Sequence, residues 1–162
     1  MKLIAVALGA ALMMGTVAHA QQDEAAPYVQ AFCGLRAVEG GNARIHLMSP
    51  SRVELVNKAL AVNAKLQAET PDEKPPLGDG VPYQSYPDVA PKCEPGAAAK
   101  DGDAIVAEVK YSFPDSPDAN WTDRLVLVAD DAGTLLVDDI LYGETGEDGT
   151  LRAFLDDIVA GQ

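Results

Sequence analysis

Apolar residues change their period partway along the chain. In "AAPYVQAFCGLRAV", residues 25–38, Tyr28, Phe32 and Leu35 recur at helical spacing with Val29 and Cys33 alongside. Gly40 and Gly41 close this segment, and "ARIHLM" leads to "SPSRVELVNKALAVNAKLQAE". There Ser51 and Glu54 fit a capping box, and Leu55, Ala59, Val62 and Leu66 form one apolar stripe flanked by Val56 and Leu60. The spacing therefore predicts two helices in the first half. The next stretch, "TPDEKPPLGDGVPYQSYPDVAPKCEPG", carries prolines too often for a helix or a central strand. It reads as an ordered crossing loop anchored by Tyr83 and Tyr86, with a flexible linker as the alternative.

Beyond it the period is two. In "DAIVAEVKYSF", Ile105, Ala107, Val109, Tyr111 and Phe113 share one face, while Glu108, Lys110 and Ser112 share the other, as in a half-buried strand. "WTDRLVLVA" is apolar on both faces towards its end, like a more central strand. "DDAG" reads as a hairpin turn with Gly133 at a position wanting positive φ, and "GTLLVDDILYG" as the third strand. A fourth strand is expected near residues 88–98. Leu151, Phe154, Leu155 and Ile158 predict a short C-terminal helix that stops at Gly161. The fold class is thus α+β: a curved antiparallel sheet of three or four strands, N-terminal helices on one face and a short C-terminal helix.

The first twenty residues differ from all of this. "MKLIAVALGAALMMGTVAHA" has Lys2, an apolar run from Leu3 to Met14, and a small-x-small site at Ala18–Ala20. That is the pattern of a secretory signal peptide, with an apolar run too short to span a bilayer. No cysteine follows the cleavage site, so no lipoprotein processing is expected. Residues 1–20 are accordingly a cleaved leader, and residues 21–162 one α+β domain, periplasmic or secreted, able to bury about two-thirds of its unfolded surface. The net charge is −13 at pH 7, and losing the leader removes one lysine and no acid. Such a surface repels phosphate backbones and anionic lipid, which excludes nucleic acid and stable membrane insertion as partners. Cys33 and Cys93 are the two cysteines; in an oxidising compartment they predict a disulfide, since a redox pair would want a CxxC spacing.

Candidate chemistry starts with Asp138 and Asp139, which interrupt an apolar strand. Neighbours on a strand point to opposite faces, so regular pleating does not let them act as a carboxylate pair. Leu135 and Val137 mark one phase, Ile140 and Tyr142 the other, and a β-bulge at the aspartates reconciles the two. The alternative is one carboxylate re-aimed into a pocket. Tyr111, Phe113, Trp121, Asp139 and Tyr142 are the candidate lining of such a pocket between sheet and helices, with core packing the plainer reading of the aromatics. The acids Asp101, Asp103, Asp115, Asp118, Asp123, Glu144, Glu147 and Asp148 read as solvated turns, since none of their spacings matches a calcium loop. His46 has no partner for zinc and no GxSxG serine to serve. No cofactor, metal ligand or catalytic residue is expected.

"IVAEVKYSF", "WTDRLVLV", "GTLLVDDILYG" and "GTLRAFLDDI", with "SPSRVELVNKAL" and "PPLGDGVPYQS" ahead of them, resemble a domain-of-unknown-function family of exported bacterial proteins with the nuclear-transport-factor-2-like (cystatin-like) fold. Leu135 stands where that family often has tryptophan. The resemblance implies no catalytic residues, and the fold hosts enzymes, ligand binders, lipoprotein modules and immunity proteins alike. The expectation is a non-enzymatic periplasmic binding or interaction domain for a protein, peptide or small molecule, an immunity-type or envelope protein among the options. The alternative is a small-molecule-processing enzyme using a buried carboxylate in the sheet–helix cavity. Val126 and Val128 offer a sheet face for a homodimer.

Overall fold

The computed structural model describes residues 11–37, 42–144, 146 and 148–161, with side chains from Gln22 onward, Ala37 excepted. Lys2 and the start of the expected leader's apolar run, Gly40, Gly41 and Glu147 lie outside the described residues. Helix α1 (Ala11–Gly34) passes through the expected cleavage site at Ala20 without interruption and ends in a 3-10 turn, Leu35–Ala37. A second 3-10 turn, Ala43–Leu47, leads into α2 (Pro50–Glu69). Strands β1 (Lys92–Asp101), β2 (Ala104–Ser112), β3 (Trp121–Ala129) and β4 (Leu135–Leu141) pair as an antiparallel meander in sequence order, and α3 (Leu151–Ala160) closes the chain.

The period-two reading of the strands holds at the level of side chains. Ile105, Ala107, Val109 and Tyr111 on β2 and Leu125 and Leu127 on β3 are buried on one face, where α1 adds Ala25, Val29 and Phe32. Val56 and Ala59 of α2 and Leu151 and Leu155 of α3 complete this core. Each fully buried leucine contributes about 2 kcal/mol by leaving water. The inner face of the sheet is therefore filled by helix side chains. Between β3 and β4, Asp130 Oδ1 accepts the backbone N–H groups of Ala132 and Thr134, and Gly133 takes φ +82°, as the hairpin turn requires.

Two boundaries differ from the sequence reading. The N-cap of α2 is Ser49, not Ser51: its side chain accepts the Arg52 N–H, and Pro50 at the first helical position loses no hydrogen bond by lacking an N–H. The buried face of α2 runs through Arg52, Val56 and Ala59, while Leu55, Val62 and Leu66 are only half-buried. The helix is rotated because Arg52 is drawn to the sheet by polar contacts that an apolar stripe does not register. β1 carries a bulge between Pro95 and Ala98, where Gly96 lets the backbone close on β2; a Cβ there would lie 2.7 Å from Glu108 Cβ.

The proline-rich crossing is ordered. Asn63 of α2 accepts the Leu77 N–H at 2.7 Å, the Tyr142 hydroxyl donates to the Pro82 carbonyl at 2.6 Å, and Tyr83 is buried with its hydroxyl on Asn42. Burial pushes the Tyr83 and Tyr142 phenols up, so both remain protonated donors. A Cys33–Cys93 disulfide ties the end of α1 to the start of β1 across a sequence separation of 60 residues.

Candidate functional site

The twin aspartates sit on a β-bulge. Val126 pairs with Asp139 and Leu127 with Val137, leaving Asp138 as the inserted residue. The insertion carries the inward phase from Val137 to Ile140, both buried. Each carboxylate then meets the start of a different helix. Asp138 Oδ1 accepts the hydroxyls of Ser49 at 2.6 Å and Ser51 at 3.3 Å, and its backbone carbonyl accepts Arg52 Nε at 2.6 Å. Asp139 Oδ1 accepts the Arg152 N–H in the first turn of α3 at 2.9 Å. Arg152 bridges the pair, 2.5 Å from Asp138 Oδ2 and 3.6 Å from Asp139 Oδ2. Neither helix carries an acid in its own first turn, so the sheet supplies the negative charge that both helix dipoles favour there. Burial raises the Asp138 carboxyl, but the hydroxyl of Ser49 and the charges of Arg152 and Arg52 outweigh it and hold that carboxyl below the ordinary carboxylate range.

A third acid corrects the solvated-turn reading. Asp123 is fully buried, on the same face of β3 as Leu125 and Leu127. Its Oδ1 accepts the Ser85 hydroxyl at 2.6 Å and the Gly143 N–H at 3.1 Å; its Oδ2 accepts the Ser85 N–H at 2.9 Å and Trp121 Nε1 at 3.3 Å. Four donors replace the water that burial removes. The result pins the middle of the crossing loop to the sheet. A charged residue at core parity in an apolar strand was the available sign of this role.

Two clefts flank the pinned loop. The larger, about 580 Å³, is bounded by Arg36, Arg44, the loop from Pro76 to Val89 and Phe154 of α3. Tyr86, Val89 and Phe154, the large apolar side chains left exposed among the described residues, all line it. Arg44 is only 4 % exposed: Nε donates to the Phe32 carbonyl and Nη1 to the Tyr83 carbonyl, both at 3.2 Å, and the guanidinium lies 4.3 Å from the Phe32 ring centre. Burial lowers its pKa, and the like charge of Arg36 lowers it further. The smaller cleft, about 260 Å³, is lined by Tyr86, Asp88, Phe113, Trp121 and the turn between β2 and β3.

Of the residues expected to line a pocket, Phe113 and Trp121 border the smaller cleft. Tyr111 is buried and stacks on Trp121 with ring centres 4.6 Å apart. Tyr142 is buried against the loop and Asp139 against α3, away from both clefts. His46 is exposed, and Val126 and Val128 are half-buried on the face opposite the core. Among the described residues no three acids, cysteines or histidines gather to hold a metal ion, and no helix is long and apolar enough to cross a membrane. Arg36, Arg44, Tyr86, Val89 and Phe154 gave no sequence sign as a site, because two 3-10 turns, a loop and a helix bring them together from distant positions.

The fold and the cleft define an α+β protein with a four-stranded antiparallel meander, helices on its inner face and a loop-rimmed cleft at one end. No protein-family model matches the chain, and neither a curated protein nor a solved structure proved similar to it.

Proposed function

We propose that this is a non-enzymatic binding domain of the periplasm, exported by its N-terminal leader, that holds its ligand in the cleft beside the crossing loop. One observation carries the reading: Tyr86, Val89 and Phe154, from a loop and a helix far apart in sequence, expose their apolar surface to the same 580 Å³ space. A cleft of that size falls within the range of about 300–1,000 Å³ that takes small organic ligands. The disulfide fits an oxidising compartment. The kinship to nuclear-transport-factor-2-like exported proteins belongs to the same reading, supported by the order of helices before a meander and a closing helix.

The enzymatic alternative draws no support from the buried carboxylates. Asp123 has four donors on its two oxygens, Asp139 is committed to α3, and neither lines a cleft. The test is a neutral solvatochromic dye such as Nile red, titrated into the purified protein. Saturable binding that weakens in Phe154→Ser and Val89→Ser is the expected result. Equal binding by both variants overturns the placement of the site.

A further inference from the structure

Arg36 and Arg44 are two cations that border the larger cleft. Among the described residues neither forms an ion pair, whereas Arg52 and Arg152 both reach Asp138. Arg44 is almost entirely removed from water, yet its hydrogen-bond acceptors are all neutral: two backbone carbonyls and, at 3.5 Å, the side-chain oxygen of Gln84. A guanidinium has five N–H donors, so this set does not exhaust it. Among the described residues Arg36 Nε and Nη1 are buried without a hydrogen-bond partner, and the guanidinium lies 5.9 Å from the Tyr111 ring centre. Two desolvated cations side by side are costly unless an anion answers them.

Among the described residues the acids near the cleft are otherwise engaged. Asp79 on the cleft rim pairs with Lys74, and the oxygens of Asp123 are taken by the loop, Trp121 and Gly143. The cleft thus joins two under-satisfied guanidiniums to the three exposed apolar side chains. A chain of net charge −13 repels polyanions at long range, which favours a ligand with one negative charge and an apolar body.

We infer that the cleft takes a small organic carboxylate, its head against Arg36 and Arg44 and its apolar body against Tyr86, Val89 and Phe154. This rests on the cleft being the binding site. A guanidinium fork matches a carboxylate in two-point geometry, and the apolar rim supplies the rest of the affinity. A free amphiphilic acid and the C-terminal residue of a peptide present the same chemistry.

The decisive comparison is octanoate against 1-octanol, titrated at pH 7 into the disulfide-intact protein. Calorimetry gives the affinity, and Trp121, the single tryptophan, reports locally because its ring lies 5.3 Å from that of Tyr86. Charged hydrogen bonds predict that octanoate binds about tenfold tighter or more than octanol. Arg36→Gln should weaken octanoate binding more than octanol binding and so narrow that preference, and Phe154→Ser should weaken both probes. Arg36 is chosen because the more deeply buried Arg44 supports the local fold. Equal affinity for the two probes overturns the anion assignment but leaves the cleft as a binding site. Binding of neither, together with no binding of Nile red, overturns both. A short peptide ending in Phe, compared with its C-terminal amide, separates the sources: a peptide acid tighter than octanoate identifies a chain terminus, and the reverse order identifies a free acid.

Discussion

The carboxylate of Asp123 takes both donors of one residue, the backbone N–H of Ser85 at 2.9 Å and its hydroxyl at 2.6 Å. A buried strand acid thereby fixes the loop that forms one wall of the larger cleft. Asp123→Ala orphans two backbone N–H groups and should cost about 3 kcal/mol or more. Asp123→Asn should rescue little. An amide has one acceptor oxygen, whereas both Asp123 oxygens accept two donors each, so its NH2 must oppose either the Gly143 N–H or the N–H groups of Ser85 and Trp121. Urea melts of the two variants check this, with the red shift of Trp121 emission following loosening of the loop. An Asn variant as stable as the parent would refute the four-donor account.

Asp138 gives the acid limb of stability its sign. Its folded-state pKa lies below the unfolded value, so its contribution is complete above about pH 4 and is lost as the pH falls through the folded value. Asp138→Asn should cost about 2 kcal/mol at pH 7, through weakened bonds to Ser49 and Arg152 and a less well matched Arg52. The gap between variant and parent should then narrow in the window below pH 4. Denaturation at a series of pH values measures it. A gap of constant size down to pH 2 would mean that the carboxylate charge does not stabilise the two helix starts.

How much of this was legible in the sequence depends on whether a residue acts within its own element. The strands were readable because Ile105, Ala107, Val109 and Tyr111 alternate locally, and the change of phase between Val137 and Ile140 announced the bulge. Asp123 was readable in principle, since its parity matches Leu125, but its place near a run of loop acids hid it. The start of α2 was misplaced by two residues because Ser51 satisfies the cap pattern, while Ser49–Pro50 satisfies the geometry. The cleft was not legible at all. Arg44 and Phe154 are 110 positions apart, and no local periodicity records that a helix and a loop will leave them on one space.

Gly96 should resist substitution. A Cβ at that position meets Glu108 Cβ at 2.7 Å, a contact that no rotation of the glutamate relieves. Gly96→Ala must push β1 from β2 at the bulge, at a cost of about 1–3 kcal/mol. Thermal melts should show the loss, together with faster amide exchange at Ala97, whose N–H donates to Glu108. An unchanged melting temperature would show that the bulge has slack to absorb a methyl group.

The disulfide and the proposed leader make a joint prediction. Cys33–Cys93 closes a long loop, and in the chain-entropy model its formation stabilises the folded state by about 4 kcal/mol. For a chain of this size that corresponds to a melting temperature higher by about 10–15 °C. Cys33→Ala/Cys93→Ala should therefore melt lower by that amount, and the parent chain should fall to match it when reduced. Cleavage after Ala20 would leave the described packing of α1 whole, because Ala25, Val29 and Phe32 all lie beyond it. Protein recovered from the periplasm should accordingly start at Gln21 and melt as the oxidised form. The same chain made without residues 1–20 in a reducing cytoplasm should melt as the cysteine-free variant until it is oxidised. Recovery of a chain still carrying its first twenty residues would overturn the reading of those residues as a cleaved leader.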